Sequence, residues 1–256
     1  MTKLKSIIFG SFSTILFFVV WYILSKTGVL NRGVLPDPLT VIARLFKNLA
    51  DLRNGTLPQV GISFRRAGLG FLAALGVGLV LGALLQTFLK KIKHILVPVF
   101  QLLERMHPFA LFPVFMLFWG ISEKSKIIIV FWVALWPILF YTAAGIENVD
   151  TLIVKAAKTM GADKVTLFFR VILPAALPDI YAGVKFSAQI AFVLIVSIEM
   201  LSSSSGIGYL LILAKRSYNL PDLYSGIILV AILGIVMNKI LTLAESRLFS
   251  YKEKLI

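Results

Sequence analysis

The chain has no cysteine, only two histidines and few charged residues, and each scarcity narrows what it can be. Without cysteine there is no disulfide framework, no thiolate zinc or iron–sulfur site and no cysteine nucleophile. His94 and His107 lie thirteen residues apart in different surroundings, which makes a metal cluster a poor reading. No phosphate loop of the G-x-x-x-x-G-K-[ST] type occurs, and no Ser-His-Asp order or carboxylate dyad stands out. Charged residues make up 15% of the 256 positions and apolar residues 59%. Average soluble chains run at about 25% and about 45–50%. A water-soluble domain of this size could not hide so much apolar surface, and disorder requires low hydrophobicity. Acidic residues are the scarcer sign, 12 against 26 basic, giving 26 − 12 = +14. In a membrane protein that excess reads as basic loops near anionic lipid, and no nucleic-acid partner is expected.

What is present is a series of long apolar runs. About 20 apolar residues cross the bilayer core as a helix. Residues 6–25, 67–89 and 127–146 qualify without any charge. Residues 95–121 carry Glu104 and Arg105, 181–201 carry Lys185 and Glu199, and 223–244 carry Lys239. The expectation is an all-α integral membrane protein with six transmembrane helices in one domain over 1–256. The first run follows Lys3 and Lys5 but is too long for a signal peptide and lacks an A-x-A site, so it is expected to stay as a helix.

With the N-terminus inside, twelve Lys/Arg fall on the inner side and eleven on the outer, so charge bias alone favours that orientation only slightly. Seven of the eleven, Arg65 and Arg66 among them, lie in the connection 26–66. Within it, Leu35-Pro36-Asp37-Pro38 predicts a turn that starts a helix. Val41, Ile42, Leu45, Leu49 and Leu52 recur at helical spacing, which predicts an amphipathic surface helix.

Two other connections are long. In 147–180, Asn148 or Asp150 can cap a helix, Gly161 can end it in the left-handed conformation, and Asp163 can cap a second helix that stops before Pro174. From pattern alone this is a solvated basic hairpin. In 202–222, Ser202 to Leu210 is polar and glycine-bearing. It is either a plain turn or the lining of an outer vestibule, through Ser204, Gly206 and Gly208.

The residues of the first loop carry a resemblance. Ala156-Ala157, three residues, Gly161, nine residues, Val171, one residue and Leu173-Pro174 resembles the coupling-loop signature of ABC importer permeases. Leu35-Pro36-Asp37-Pro38, Trp119-Gly120-Ile121 and Glu199-Met200-Leu201 with Ser205 to Leu210 look like the nitrate/sulfonate/taurine/bicarbonate branch. Thiamine-precursor and riboflavin permeases are similar. Lys155 stands where the family usually has Glu, Val171 where it has Ile, and Met106-His107-Pro108 where relatives often show a small apolar residue and two prolines.

The resemblance implies the type I ABC importer permease fold and a non-catalytic subunit that forms the pathway for a small anion. It implies a homodimer in the cell (inner) membrane with both termini cytoplasmic. Its implied partners are two ATP-binding cassette ATPase subunits, which bind ATP and Mg, and an extracytoplasmic substrate-binding protein. The ATPase-coupling set is then Lys155, Ala156, Ala157, Gly161, Ala162, Leu173 and Pro174.

Charged residues at bilayer depth are costly and suggest function. Arg105 and His107 could offer donors to an anionic substrate, or Glu104 and Arg105 could simply snorkel to water. Glu199 is expected to pair with a basic neighbour, and Lys185 and Lys239 to anchor at the lipid interface. A secondary transporter driven by an ion gradient is the reading from another class, and it leaves the Ala156–Pro174 spacing unexplained.

Overall fold

A computed structural model describes residues 2–27, 34–50, 55–87, 89 and 91–249, with side chains from residue 15 onward. Among the described residues all regular structure is helical, with short turns between the helices. Its helices are α1 (Thr2–Thr27), α2 (Pro38–Ala50), α3 (Thr56–Thr87), α4 (Lys93–Glu104), α5 (Pro108–Trp119), α6 (Glu123–Glu147) and α7 (Thr151–Thr159). They continue as α8 (Lys164–Ser202), α9 (Ile207–Arg216) and α10 (Leu220–Leu248). Helices α3, α6, α8 and α10 are each long and apolar enough to cross a membrane. Helices α4 and α5 qualify as a pair, but they are bent by 89°. Helix α1 covers the first expected span.

Four expectations change in detail. The span expected at 95–121 is two helices, because Pro108 cannot donate a backbone hydrogen bond and His107 before it is extended (ψ 126°). The span expected from Ala67 begins at Thr56, so Arg65 and Arg66 belong to α3 and not to a connection. The helix capped by Asp163 does not stop before Pro174. A π-helical stretch, Leu167–Ile172, precedes the proline, and the Leu173 amide donates to the Phe168 carbonyl. That wider turn absorbs the missing donor, and α8 runs on. Finally, the polar connection 202–222 contains α9, which buries Ile207, Leu211 and Ala214 on one face.

The chain forms two compact units, and α3 and α10 contribute to both. In the first, residues 1–62 and 203–233, α2 starts where the turn predicts. Asp37 Oδ1 accepts from the Leu39 amide, and Lys26 pairs with Asp37 at 3.1 Å, which holds the Asp37 carboxyl below its usual range. Val41 and Leu45 of α2 are buried and Phe46 is exposed, so this amphipathic helix covers protein with one face. Asn48 donates to Asp222 at 3.2 Å. Leu52, the last residue of the predicted stripe, lies outside the described residues.

In the second unit, residues 63–202 and 234–256, α6 and α8 form the central pair. Ser187 Oγ donates to the Ala134 carbonyl at 3.0 Å, and Gly183 lets the helices approach at Tyr141. Helix α3 closes on α6 through Gly70, Gly78 and Gly82; a Cβ at Gly82 would meet the Leu139 carbonyl at 2.7 Å. Small residues at such contacts substitute backbone packing for the hydrophobic drive that lipid removes.

Candidate coupling elbow, buried charge cluster and intramembrane break

The elbow is built by two capped helices around one glycine. Asp150 Oδ1 accepts from the Leu152 amide at 2.8 Å and starts α7. At its other end the Gly161 amide donates to the Lys158 carbonyl (3.0 Å) and the Ala162 amide to the Ala157 carbonyl (3.1 Å). These two bonds make a Schellman termination, which needs a left-handed residue at its pivot. Gly161 supplies it with φ +84°. The spacing Ala157-x-x-x-Gly161 therefore has a geometric origin. Asp163 then accepts from the Val165 amide and begins α8. Hydrogen bonding from Thr166, and then from backbone amides, holds the Asp163 carboxyl below its usual range.

The elbow exposes apolar side chains. Met160 is 87% exposed and Leu152 69%, with Ile153, Val165 and Phe169 also exposed. Lys155 and Ala156 are exposed and Ala157 and Ala162 half-buried. Leu173 and Pro174 lie on α8, Leu173 half-buried and Pro174 exposed. Capped backbone and uncovered apolar side chains make a rigid surface suited to docking.

The second feature is a buried charge cluster. Arg66 of α3 is 2% exposed and Glu199 of α8 0%. Arg66 Nη1 donates to Glu199 Oε1 at 2.7 Å, and Ser63 Oγ donates to Glu199 Oε2 at 2.7 Å. Through Nε and Nη2, both at 2.6 Å, Arg66 also grips the two carboxylate oxygens of Glu123 at the start of α6. Lys126, 4% exposed, meets Glu123 at 3.1 Å. Two cations and two anions thus tie three helices together with bidentate geometry. Glu199 has the basic neighbour expected of it. Its identity is not legible in the sequence, where Arg66 reads as part of the connection 26–66. The signal available was the stretch from Ile62 through Ala67, which holds both arginines and has no glycine or proline to separate them from the apolar run.

The remaining predicted residues are not brought together. Arg105 and His107 sit at the break between α4 and α5, where His107 stacks on Phe109 at 5.5 Å. Ser204 is exposed in the bend before α9, and Gly206 and Gly208 are buried. Gly206, at φ +103°, donates its amide to Gln59 at 2.6 Å. Lys185 pairs with Glu245 at 2.8 Å, so protein and not only lipid holds it, while Lys239 is exposed.

Residues 74–249 match the family model described as the binding-protein-dependent transport system inner membrane component. A Bacillus subtilis protein named as an aliphatic sulfonates transport permease, SsuC, is 34% identical over 91% of this chain and 83% of its own length. The nitrate import permease NrtB of Synechocystis is 29% identical over 92% and 87%. Among solved structures, a chain of the methionine ABC transporter MetNI in inward-facing conformations superimposes with a TM-score of 0.61 at 16% identity. It covers 81% of this chain and 96% of that one.

Proposed function

The chain belongs to the family of binding-protein-dependent transport system inner membrane components, and on that premise we propose how it couples ATP hydrolysis to the uptake of a small anion. It is the permease component of an ABC importer, and the ATPase is a separate subunit. In our reading the whole chain, 1–256, works as one permease domain paired with a second copy of itself. Two ATPase subunits, which bind ATP and Mg, meet it on the cytoplasmic side. A binding protein delivers a sulfonate- or nitrate-type anion from the other side, in line with what the relatives' names state. Both termini are cytoplasmic in this arrangement, because the elbow must face ATP.

The observation that carries the reading is the elbow: Schellman-terminated, apolar on its outer surface and continuous with a membrane-length helix. Lys155, Ala156, Ala157, Gly161 and Ala162 dock into the ATPase, and Leu173 and Pro174 transmit its movement into α8. ATPase closure displaces the elbow as a rigid piece, which reorients the spans in an alternating-access cycle. Arg105, His107, Glu199, Ser204, Gly206 and Gly208 belong to the translocation pathway or its supports.

The test is reconstitution with ATPase subunits and binding protein in liposomes. Met160→Asp and Leu152→Asp, both exposed, should leave thermal stability unchanged but abolish ATP-dependent uptake. Gly161→Ala, strained by about 1–2 kcal/mol in the left-handed region, should weaken coupling partially. Normal uptake in both aspartate variants would refute the docking role, and uptake without any ATPase subunit would favour an ion-gradient carrier.

A further inference from the structure

Helices α3 and α8 both close on α6, Gly82 of α3 against Leu139 and Thr142, and Ala176 of α8 against Gly145. Toward the elbow they leave a groove between them, a cavity of about 880 Å3. One wall is a face of α3 from Leu79 to Thr87, and the other is a face of α8 from Lys164 to Ile180. The π-helical stretch of α8 lies on this second wall. Such local widenings of a helix are frequent at functional sites.

Three properties of the groove identify its occupant. First, it is apolar and uncovered: Val80, Val165 and Phe169 line it and are exposed. Its walls belong to membrane-length helices, where hydrocarbon chains are the solvent for such a surface. Second, its length fits one leaflet. Leu79 to Thr87 rises about 12 Å along α3, against about 15 Å of hydrocarbon per leaflet. Lys164 to Ile180 rises about 24 Å along α8, so Lys164 reaches past the hydrocarbon to headgroup level. Third, Lys164 is the one charged residue that lines the groove, it is exposed, and among the described residues it pairs with no carboxylate. The nearby acids are engaged elsewhere: Asp163 caps α8, and Glu147 pairs with Lys93. Basic pockets between membrane helices attract anionic headgroups. Met160 and Leu152, the side chains assigned to ATPase docking, lie outside the groove.

We propose that this groove binds one anionic phospholipid from the leaflet on the elbow side. An acyl chain lies along α3 and α8, and Lys164 pairs with the headgroup phosphate. The lipid then packs against the start of the helix that carries the elbow's movement, so membrane charge acts where coupling enters the spans. Naming that leaflet as the cytoplasmic one rests on the permease reading; the site itself does not.

The probes are dioleoylphosphatidylglycerol and dioleoylphosphatidylcholine, which share their chains and differ in net charge. Binding to the permease–ATPase complex in detergent is read by native mass spectrometry, as lipid retained per permease chain. Phosphatidylglycerol should bind saturably and about 5-fold more tightly than phosphatidylcholine, as one lysine at a headgroup implies. Lys164→Gln should erase that preference, and Lys164→Arg should keep it. Val80→Trp, which adds bulk inside the groove at an exposed position, should weaken both lipids. Equal binding of the two lipids, no saturable binding, or an unchanged preference in a Lys164→Gln protein of normal thermal stability would overturn the site. So would a Val80→Trp complex that sheds its second copy while retaining lipid, because protein would then fill the groove. ATP-dependent uptake by the unaltered transporter is measured alongside. Uptake without a lipid preference sinks the site alone, and a lipid preference without ATP-dependent uptake sinks the permease reading alone.

Discussion

Replacing Arg66 by Met should be among the most damaging single changes in the chain. The methionine fills a similar volume but removes three charge-assisted hydrogen bonds, one to Glu199 and two to Glu123. Glu199 is fully buried, so water cannot take over that lost contact, whereas Glu123, 47% exposed, can be rehydrated. Breaking a buried ion pair from one side costs about 3–5 kcal/mol. At about 2–4 °C per kcal/mol for a chain of this size, that is roughly 6–20 °C in Tm. Lys93–Glu147 is the control: it is as short, 2.7 Å, but its carboxylate is more than half exposed. Lys93→Met should therefore cost about 0–1 kcal/mol. Thermal unfolding of purified protein in one detergent compares the variants. A double change, Arg66→Met with Glu199→Gln, should recover part of the loss, since it removes the buried charge along with its partner. The reasoning fails if Arg66→Met is no worse than Lys93→Met, or if the double variant loses the sum of the two single effects.

Two further outcomes are expected. Gly82→Val should destabilise by about 1–3 kcal/mol or more, because a Cβ there meets the Leu139 carbonyl at 2.7 Å, whereas Gly76→Ala, with open space around it, should be neutral or stabilising in the same unfolding assay. The elbow should respond to acid in one direction. The folded-state pKa of Asp163 is depressed, so its capping contribution is present above the ordinary aspartate range and is lost as pH falls through the lowered value. Amide exchange at Val165 should therefore accelerate only at strongly acidic pH, and Asp163→Asn should remove that pH dependence; acceleration beginning near neutrality would contradict the cap.

Much of the elbow was legible because its determinants are local. Asp150, Gly161 and Asp163 each act within a few residues of themselves, through caps and one left-handed backbone position, and each does what its position suggests. The amphipathic helix after Pro38 was readable for the same reason. Pro174 reads as a stop in the sequence because the rule for proline assumes a regular α-helix. Here a π-helical turn, Leu167–Ile172, stands just before the proline and carries the helix on.

Membrane residence, the approximate number of spans and the elbow follow from the linear pattern, since apolar run length and local backbone chemistry need no distant partner. Which charges pair, and with which partners, came from the packing of the helices. Arg66 and Glu199 are 133 positions apart, and Glu104 shares a cavity with tryptophans from another helix. Such pairings follow from how glycine-lined helices approach one another, and a linear pattern of residue types does not encode that distance.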